Sequence, residues 1–286
     1  MTLAGALPIG LAANGSADEP ETGDVAASFR QGLIFVRAAV NEGPEGVFLL
    51  DTGASETVVD ARYAAQTNVK LGDPLVLKGG GGARGARQGE DAHLRLSGGQ
   101  AGRLDPTVAD LSPVARGMGQ RLDGILGDDF LGRYVLELDY RQRRVALRRP
   151  GLMLPPADAA PIRFVRTPFV LARVTRGALS AEAEFQIDTG SNTALEFWRP
   201  FSHAAFPDAR GFEGQGLGVA GGTLNRKTRI DLLEVVGRRI AGVEANLDDD
   251  TRPDDADARY GGVIGGPAWA GLVVTLDFPH GRLWIR

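Results

Sequence analysis

The chain of 286 residues contains no cysteine and only three histidines. The first absence excludes a disulfide scaffold, thiolate metal ligation, iron–sulfur clusters and a cysteine nucleophile. His93, His203 and His280 are scattered, with no metal-ligand spacing such as H-E-x-x-H, so a histidine-built metal centre has no foothold. No apolar run approaches the ~18 residues needed to span a bilayer, and no G-x-S-x-G turn is present to carry a serine nucleophile. Positive charge is not in excess either. A net charge of -4 and a pI near 5.5 argue against a surface built for nucleic acid or an anionic membrane.

What is plentiful is glycine, at 40 residues, about twice the ordinary usage of ~7%. The 16 prolines are unremarkable in number, so the composition is neither collagen-like nor that of a Pro-rich disordered chain. Hydrophobic residues at 43% suffice for a substantial core, and at ~150 residues per domain the length corresponds to about two modest domains. Residues 1–17 are apolar and small, with Gly15-Ser16-Ala17 as a small-residue cleavage site, but the first basic residue is Arg30. Residues 1–24 therefore read either as a remnant of an export signal, implying a periplasmic or secreted protein, or as a plain disordered N-terminus on a cytoplasmic one. Pro150, Pro155, Pro156 and Pro161 punctuate the middle. Proline cannot continue a central strand or a helix interior, so 150–161 reads as a linker between units of 25–149 and 162–286.

Those two units are copies of one another. FLLDTG, ending on Asp51, Thr52 and Gly53, recurs as FQIDTG, ending on Asp188, Thr189 and Gly190, 137 residues further on. Gly124-Ile125-Leu126-Gly127 recurs as Gly262-Val263-Ile264-Gly265 at an offset of 138, and Val135, Leu138, Asp139, Arg144 and Arg148 then match Val273, Leu276, Asp277, Arg282 and Arg286 without a gap. Gly79 and Gly81 follow Asp51 by 28 and 30 residues, as Gly216 and Gly218 follow Asp188. A period this long is a lobe with its own core and not a solenoid unit. Within each lobe, short β-like runs alternate with Gly-rich and polar turns: Leu33–Val40 then Val47–Leu50, and Phe169–Val174 then Ala183–Ile187. Tyr134–Tyr140 with Arg144–Arg148, and Leu272–Phe278 with Leu283–Arg286, read as hairpins closing each lobe. Brief helices fit only after each Asp-Thr-Gly and near Asp128–Gly132. The expected fold is all-β, in two homologous lobes.

Each copy ends an apolar strand on a carboxylate followed by Thr and Gly. The strand end exposes the Asp, and the glycine lets backbone N–H groups approach it without a Cβ in the way. Two lobes related by a pseudo-twofold axis would set Asp51 beside Asp188. Carboxylates that close share a proton and titrate as a coupled pair. One then serves as base to a water while the other, protonated, polarises a carbonyl. Such a pair hydrolyses amides with neither a metal nor a nucleophilic side chain.

FLLDTGAS, the glycine cluster at 79–85, LDGILGDDFL and YVLELDYRQRRVAL, repeated as FQIDTGSN, the cluster at 214–222, GGVIGGPAW and VVTLDFPHGRLWI, resemble the aspartic proteases of pepsin-like and retropepsin-like type. The likeness is greatest to bacterial retropepsin-like proteins and covers about residues 30–286. It implies two barrel-like lobes with an Asp51/Asp188 catalytic dyad, Thr52 and Thr189 bracing the lobes, and Gly53, Gly190 and Ser191 supporting the dyad. It also implies flaps at Gly79, Gly80, Gly81, Gly82 and at Gly216 and Gly218, closing over an extended peptide that adds as a strand. A peptide or protein substrate, no cofactor and a monomer with intramolecular lobe pairing follow from the same resemblance. The alternative is a degenerate lobe pair that binds a peptide without cutting it. No tyrosine stands in either glycine cluster, unlike the single pepsin-type flap.

Two asymmetries stand out. Ser191 replaces Ala54 and is positioned to hydrogen-bond the Asp188 carboxylate. Gly265-Gly266-Pro267 replaces Gly127-Asp128-Asp129, which puts the second copy's short helix in question. Other motifs have plainer readings. GGGGARG at 79–85 lacks the Gly-Lys-Ser/Thr of a phosphate loop, and RQRRVALRR at 141–149 reads as a solvated strand face. The acidic run at 248–257 lacks the glycine and terminal glutamate of a calcium loop.

Overall fold

The computed structural model describes residues 23–79, 82–207, 212–218, 221–248 and 259–286. Its strands form three sheets, one belonging to each half and one shared by both. The shared six-stranded sheet runs Gly23–Val25, Arg144–Arg148, Val135–Asp139, Val273–Asp277, Arg282–Ile285 and Ala160–Pro161. The two hairpins expected to close separate lobes therefore join each other instead. Val135–Asp139 pairs antiparallel with Val273–Asp277, and Glu137 lies opposite Thr275, its own counterpart in the repeat. An axis relating the halves must pass through that pair. The physical reason is the edge: Val135, Leu136 and Leu138 are fully buried, and an apolar strand left unpaired would expose a row of backbone donors and acceptors.

The two remaining sheets share one topology. In the first half, Leu33–Val40 pairs antiparallel with Gly46–Leu50, which runs parallel to Gly124–Leu126. Gly124–Leu126 is antiparallel to Val58–Asp60, itself parallel to Thr107–Ala109. In the second half the same relations hold for Pro168–Arg176, Leu179–Asp188, Tyr260–Gly265, Leu195–Phe197 and Arg238–Asp248. A hairpin extends from each sheet: Lys70–Gly79 with Gly82–Glu90, and Phe212–Gly218 with Gly221–Val235. The second half makes one strand of Gly221–Val235, where the first uses Gly82–Glu90 and Ala92–Leu96 with Asp91 at φ 46° between them.

Short helices follow each Asp-Thr-Gly segment, at Ala61–Gln66 and Arg199–Ala205, and a third covers Asp128–Leu131. Asp60 starts the first by accepting the Arg62 N–H, a side-chain N-cap. The counterpart of Asp128–Leu131 is a 3-10 turn, Gly266–Trp269. A further helix, Ser112–Met118, was not foreseen; it has Pro113 in its first turn and stops at Gly119, φ 57°. The edges of the expected linker and tail also differ. Ala160–Pro161 and Gly23–Asp24 lie within strands of the shared sheet.

Because both halves feed the shared sheet, the main core runs through both, from Phe48, Tyr63 and Phe130 to Phe185, Phe197 and Trp269, and is not split into one core per lobe. A smaller cluster of Leu33, Phe35, Leu49, Leu111, Val114 and Ile125 sits under the first hairpin, against which Leu77 and Ala86 pack. At about 25 cal/mol per Å² of apolar surface removed from water, this continuous core ties the relative position of the halves to the stability of the whole chain.

Candidate active site

The two Asp-Thr-Gly turns meet where the halves face each other. Gly46–Leu50 delivers Asp51, whose N–H donates to the Leu126 carbonyl at 3.0 Å, so the Gly124–Leu126 strand anchors the turn. The Gly53 N–H donates to Asp51 Oδ1 at 2.8 Å, and the Gly190 N–H donates to Asp188 Oδ1 at the same distance. The carboxyl groups of Asp51 and Asp188 lie near enough for each to shift the other's titration. A Cβ on Gly53 would lie 2.4 Å from Asp188 Cγ, and one on Gly190 2.4 Å from Asp51 Cγ. Each glycine thus opens the space that the opposite carboxyl occupies, a close-approach role distinct from any special φ.

Beneath the pair, two threonines cross the interface. Thr52 Oγ1 donates to the Ile187 carbonyl and Thr189 Oγ1 to the Leu50 carbonyl, both at 2.7 Å, while each hydroxyl accepts the other residue's amide N–H at 3.1 and 3.2 Å. Both are fully buried. Gln186 adds an unsymmetrical tie, its Nε2 donating to the Gly53 carbonyl at 3.2 Å and to Thr167 Oγ1 at 2.8 Å.

The supporting segments are similar in place and different in chemistry. The Asp128 N–H donates to the Ala54 carbonyl at 2.8 Å, as the Gly266 N–H does to Ser191 at 3.1 Å. Only the first half adds a side-chain clasp: Asp129 Oδ1 accepts from the Thr57 hydroxyl at 2.6 Å and the Thr57 N–H at 2.9 Å, and Thr57 Oγ1 accepts the Gly127 N–H. The second half has Ala194 and Pro267 in those places. The Ser191 hydroxyl does not serve the Asp188 carboxylate as expected. It faces Thr193, accepting that residue's N–H at 3.2 Å. The Ser191 backbone N–H faces Asp188 instead, a contact that any residue at this position supplies.

Burial pushes the Asp51 carboxyl up to about 6, against the opposing pull of hydrogen bonds from Asp188 and Gly53. Asp188 is raised well above the carboxylate range by burial and then by the Asp51 charge. One proton held between the two follows from these directions. Sequence reading missed a third acid, Asp128. Both its carboxyl oxygens are inaccessible and without a hydrogen-bond partner. Burial, then the charges of Asp129 and Asp188, raise it to about 8. Its signal in the sequence was the Asp128/Gly266 difference between the copies, which shows the asymmetry but not the direction of the side chain.

Of the glycines assigned to flaps, Gly79 ends the first hairpin strand and Gly82, at φ 117°, begins the second; Gly80 and Gly81 lie outside the described residues. Gly216 and Gly218 lie in the strand Phe212–Gly218, opposite Thr223 and Gly221. The helix Ser112–Met118 of the first half lies beside that strand. His93, His203 and His280 stay apart, and no cluster of metal-ligating side chains occurs among the described residues. The arginine run becomes an inner strand of the shared sheet, with Arg144 on Asp24 and Arg148 on Glu137. Within the acidic run only Asp248 is described, as a strand end. No helix among the described residues is long and apolar enough to cross a membrane.

Residues 36–130 match the aspartyl protease family. The whole architecture is similar to the crystal structure of an aspartic proteinase from Irpex lacteus, with a TM-score of 0.59 at 13% identity, over 93% of this chain and 97% of that one. At that identity the likeness is one of fold. No curated protein matches the chain in sequence. The family match in the first half and the fold across both halves bear out the aspartic protease resemblance read from the paired motifs.

Proposed function

We propose that the chain is an aspartic endopeptidase that cleaves an extended polypeptide with a water activated between Asp51 and Asp188. The observation that carries this reading is the close approach of two half-buried carboxyl groups, each seated against the other half's Asp-Thr-Gly glycine and fixed by the N–H of the glycine two residues on. In the singly protonated pair, the ionised carboxylate takes a proton from water as its oxygen adds to the peptide carbonyl. The protonated carboxyl donates to the carbonyl oxygen, giving a neutral gem-diol. Collapse returns a proton to the departing amine nitrogen and restores the shared proton. The threonine bridge holds the carboxyls in place, which matters because misplacing catalytic groups by ~1 Å costs about a hundredfold in rate. The two hairpins cover the substrate and offer backbone groups to it. Both aspartates come from one chain, so a monomer suffices.

The test is cleavage of a mixed peptide library across acidic to mildly basic pH by the wild type, Asp51→Asn and Asp188→Asn. Cleavage by the wild type, reduced about 10²- to 10⁴-fold in each variant, is the expected result. Full activity in either variant would remove the shared-dyad mechanism. Peptide binding without cleavage by the wild type at any pH would make the protein a binding module.

A further inference from the structure

Beside the Asp188 turn lies an open cavity of about 560 Å³ that contains residues of both halves. Phe29, Tyr140, Pro267 and Ala270 give it apolar walls, and Gln31, Asn192 and Arg143 bring polar groups to it. Asn192 is the fourth residue after Asp188, and Gly266, also in the wall, donates its N–H to the Ser191 carbonyl. The cavity therefore begins where the Asp188 turn ends. An extended peptide advances about 3.3 Å per residue, so a chain lying across the dyad presents side chains at this depth within a few residues of the cut bond.

Its charge is one-signed. Arg143 donates through Nη2 to the Phe29 carbonyl at 2.8 Å, and Arg141 through Nε to the Gly271 carbonyl at 3.2 Å. Both carbonyls belong to residues of the cavity wall. Neither guanidinium forms a salt bridge with a carboxylate among the described residues, and each keeps further N–H groups free. Asp139, in the same turn, accepts the backbone N–H groups of Arg141 and Gln142 on its Oδ1 and is not part of the cavity wall. The repeat makes the feature one-sided. Gly266 and Pro267 correspond to Asp128 and Asp129, and Arg143 to Gly281, so the equivalent place across the axis has acidic residues and lacks the arginine.

Resting on the endopeptidase reading, we infer that this cavity is a specificity pocket for an acidic side chain of the substrate, Asp or Glu, with Arg143 as the residue that selects it. The pocket also sets direction. A pseudo-twofold cleft accepts an extended chain either way round, and a cationic pocket on one side only breaks that equivalence. An exposed guanidinium–carboxylate contact favours the acidic side chain by about threefold, and a like charge in its place is disfavoured by a similar factor.

The experiment takes a cleavable parent peptide and places Glu, Gln or Lys in turn at the second to fourth residues on each side of the cut bond. Glu is expected to exceed Lys in kcat/KM by about tenfold at one position, on one side only. Arg143→Gln should bring that ratio to about threefold or less, and Arg143→Glu should invert it. Equal rates for Glu and Lys everywhere in the wild type, or an unchanged ratio in both variants, would overturn the inference. If the wild type cleaves no peptide, the endopeptidase reading fails by itself. Fluorescence anisotropy of the same labelled peptides then decides the pocket: a Glu preference lost in Arg143→Gln upholds it, and no preference overturns it.

Discussion

Thr52 and Thr189, 137 residues apart, each donate a backbone N–H to the other's hydroxyl at 3.1 and 3.2 Å, and each hydroxyl donates in turn to a carbonyl of the opposite half. Replacing either with valine preserves shape and leaves one buried carbonyl and one buried N–H unpaired. A loss of about 2–3 kcal/mol is expected for each, by urea denaturation, since an unsatisfied buried group costs about 1–3 kcal/mol. The double variant should lose less than the sum, because both members belong to one network. Serine at either position should restore most of the loss.

Gly53 and Gly190 predict a different kind of damage. A single methyl group on either would fall 2.4 Å from the opposite carboxyl carbon. Gly53→Ala and Gly190→Ala should therefore push the two carboxyls apart, and peptide cleavage is expected to fall by about a hundredfold or more, as for any ~1 Å displacement of catalytic groups. Circular dichroism should show the fold retained. Activity within threefold of wild type would mean that the pair need not be in contact.

The repeat-equivalent glycines Gly124 and Gly262 should not respond alike to alanine. At Gly124 the new methyl meets the edge of the Phe48 ring at 2.1 Å and the Val58 carbonyl oxygen less closely at 2.8 Å, and shifting the ring costs about 1–3 kcal/mol. At Gly262 it meets the Glu196 carbonyl oxygen at 1.8 Å, and the residue already sits at φ 138°. Backbone cannot step aside as a ring can. Gly262→Ala is expected to lose clearly more stability than Gly124→Ala in thermal melts, and equal losses would contradict the geometry.

Asp128 makes stability depend on pH in a calculable direction. Its folded-state value is about 8, against about 3.9 for an unfolded aspartate, so between these values the folded chain binds the extra proton. The contribution is fully present below about pH 4 and is lost as pH rises through 8, with a slope of up to about 1.4 kcal/mol per pH unit for this one proton. Asp128→Asn should flatten the fall in stability between pH 4 and 8. Above about pH 8, where it is ionised, its charge also opposes loss of the proton held by the neighbouring pair, so in that range the variant should move the alkaline limb of the activity profile to lower pH. Profiles that superimpose with those of the wild type would exclude Asp128 from the electrostatics of the site.

Much of the site was legible because its chemistry is carried by adjacent residues used twice. Asp51-Thr52-Gly53 and Asp188-Thr189-Gly190 need no knowledge of the fold to be paired, and a shared offset does the rest. The Ser191 expectation failed for a local reason: an Asx- or Ser-type turn offers a hydroxyl several backbone partners, and Thr193 is the nearer one. The helix Ser112–Met118 escaped notice because seven residues give too little periodicity to separate a helix from a loop.

By itself, the sequence determined the two-copy architecture, the β character of each copy and the identity of the facing aspartates. Each of these depends on residues close in the chain or on a repeat that survives translation along it. Only the tertiary structure decided that the closing hairpins join into one sheet through Glu137 and Thr275, that the core is continuous, and that Asp128 stands buried and unpartnered near the dyad. The reason is the same in all three. Strand edges, apolar faces and carboxylates can each be satisfied by many partners, and which one is chosen depends on distance in space between residues that the chain keeps far apart.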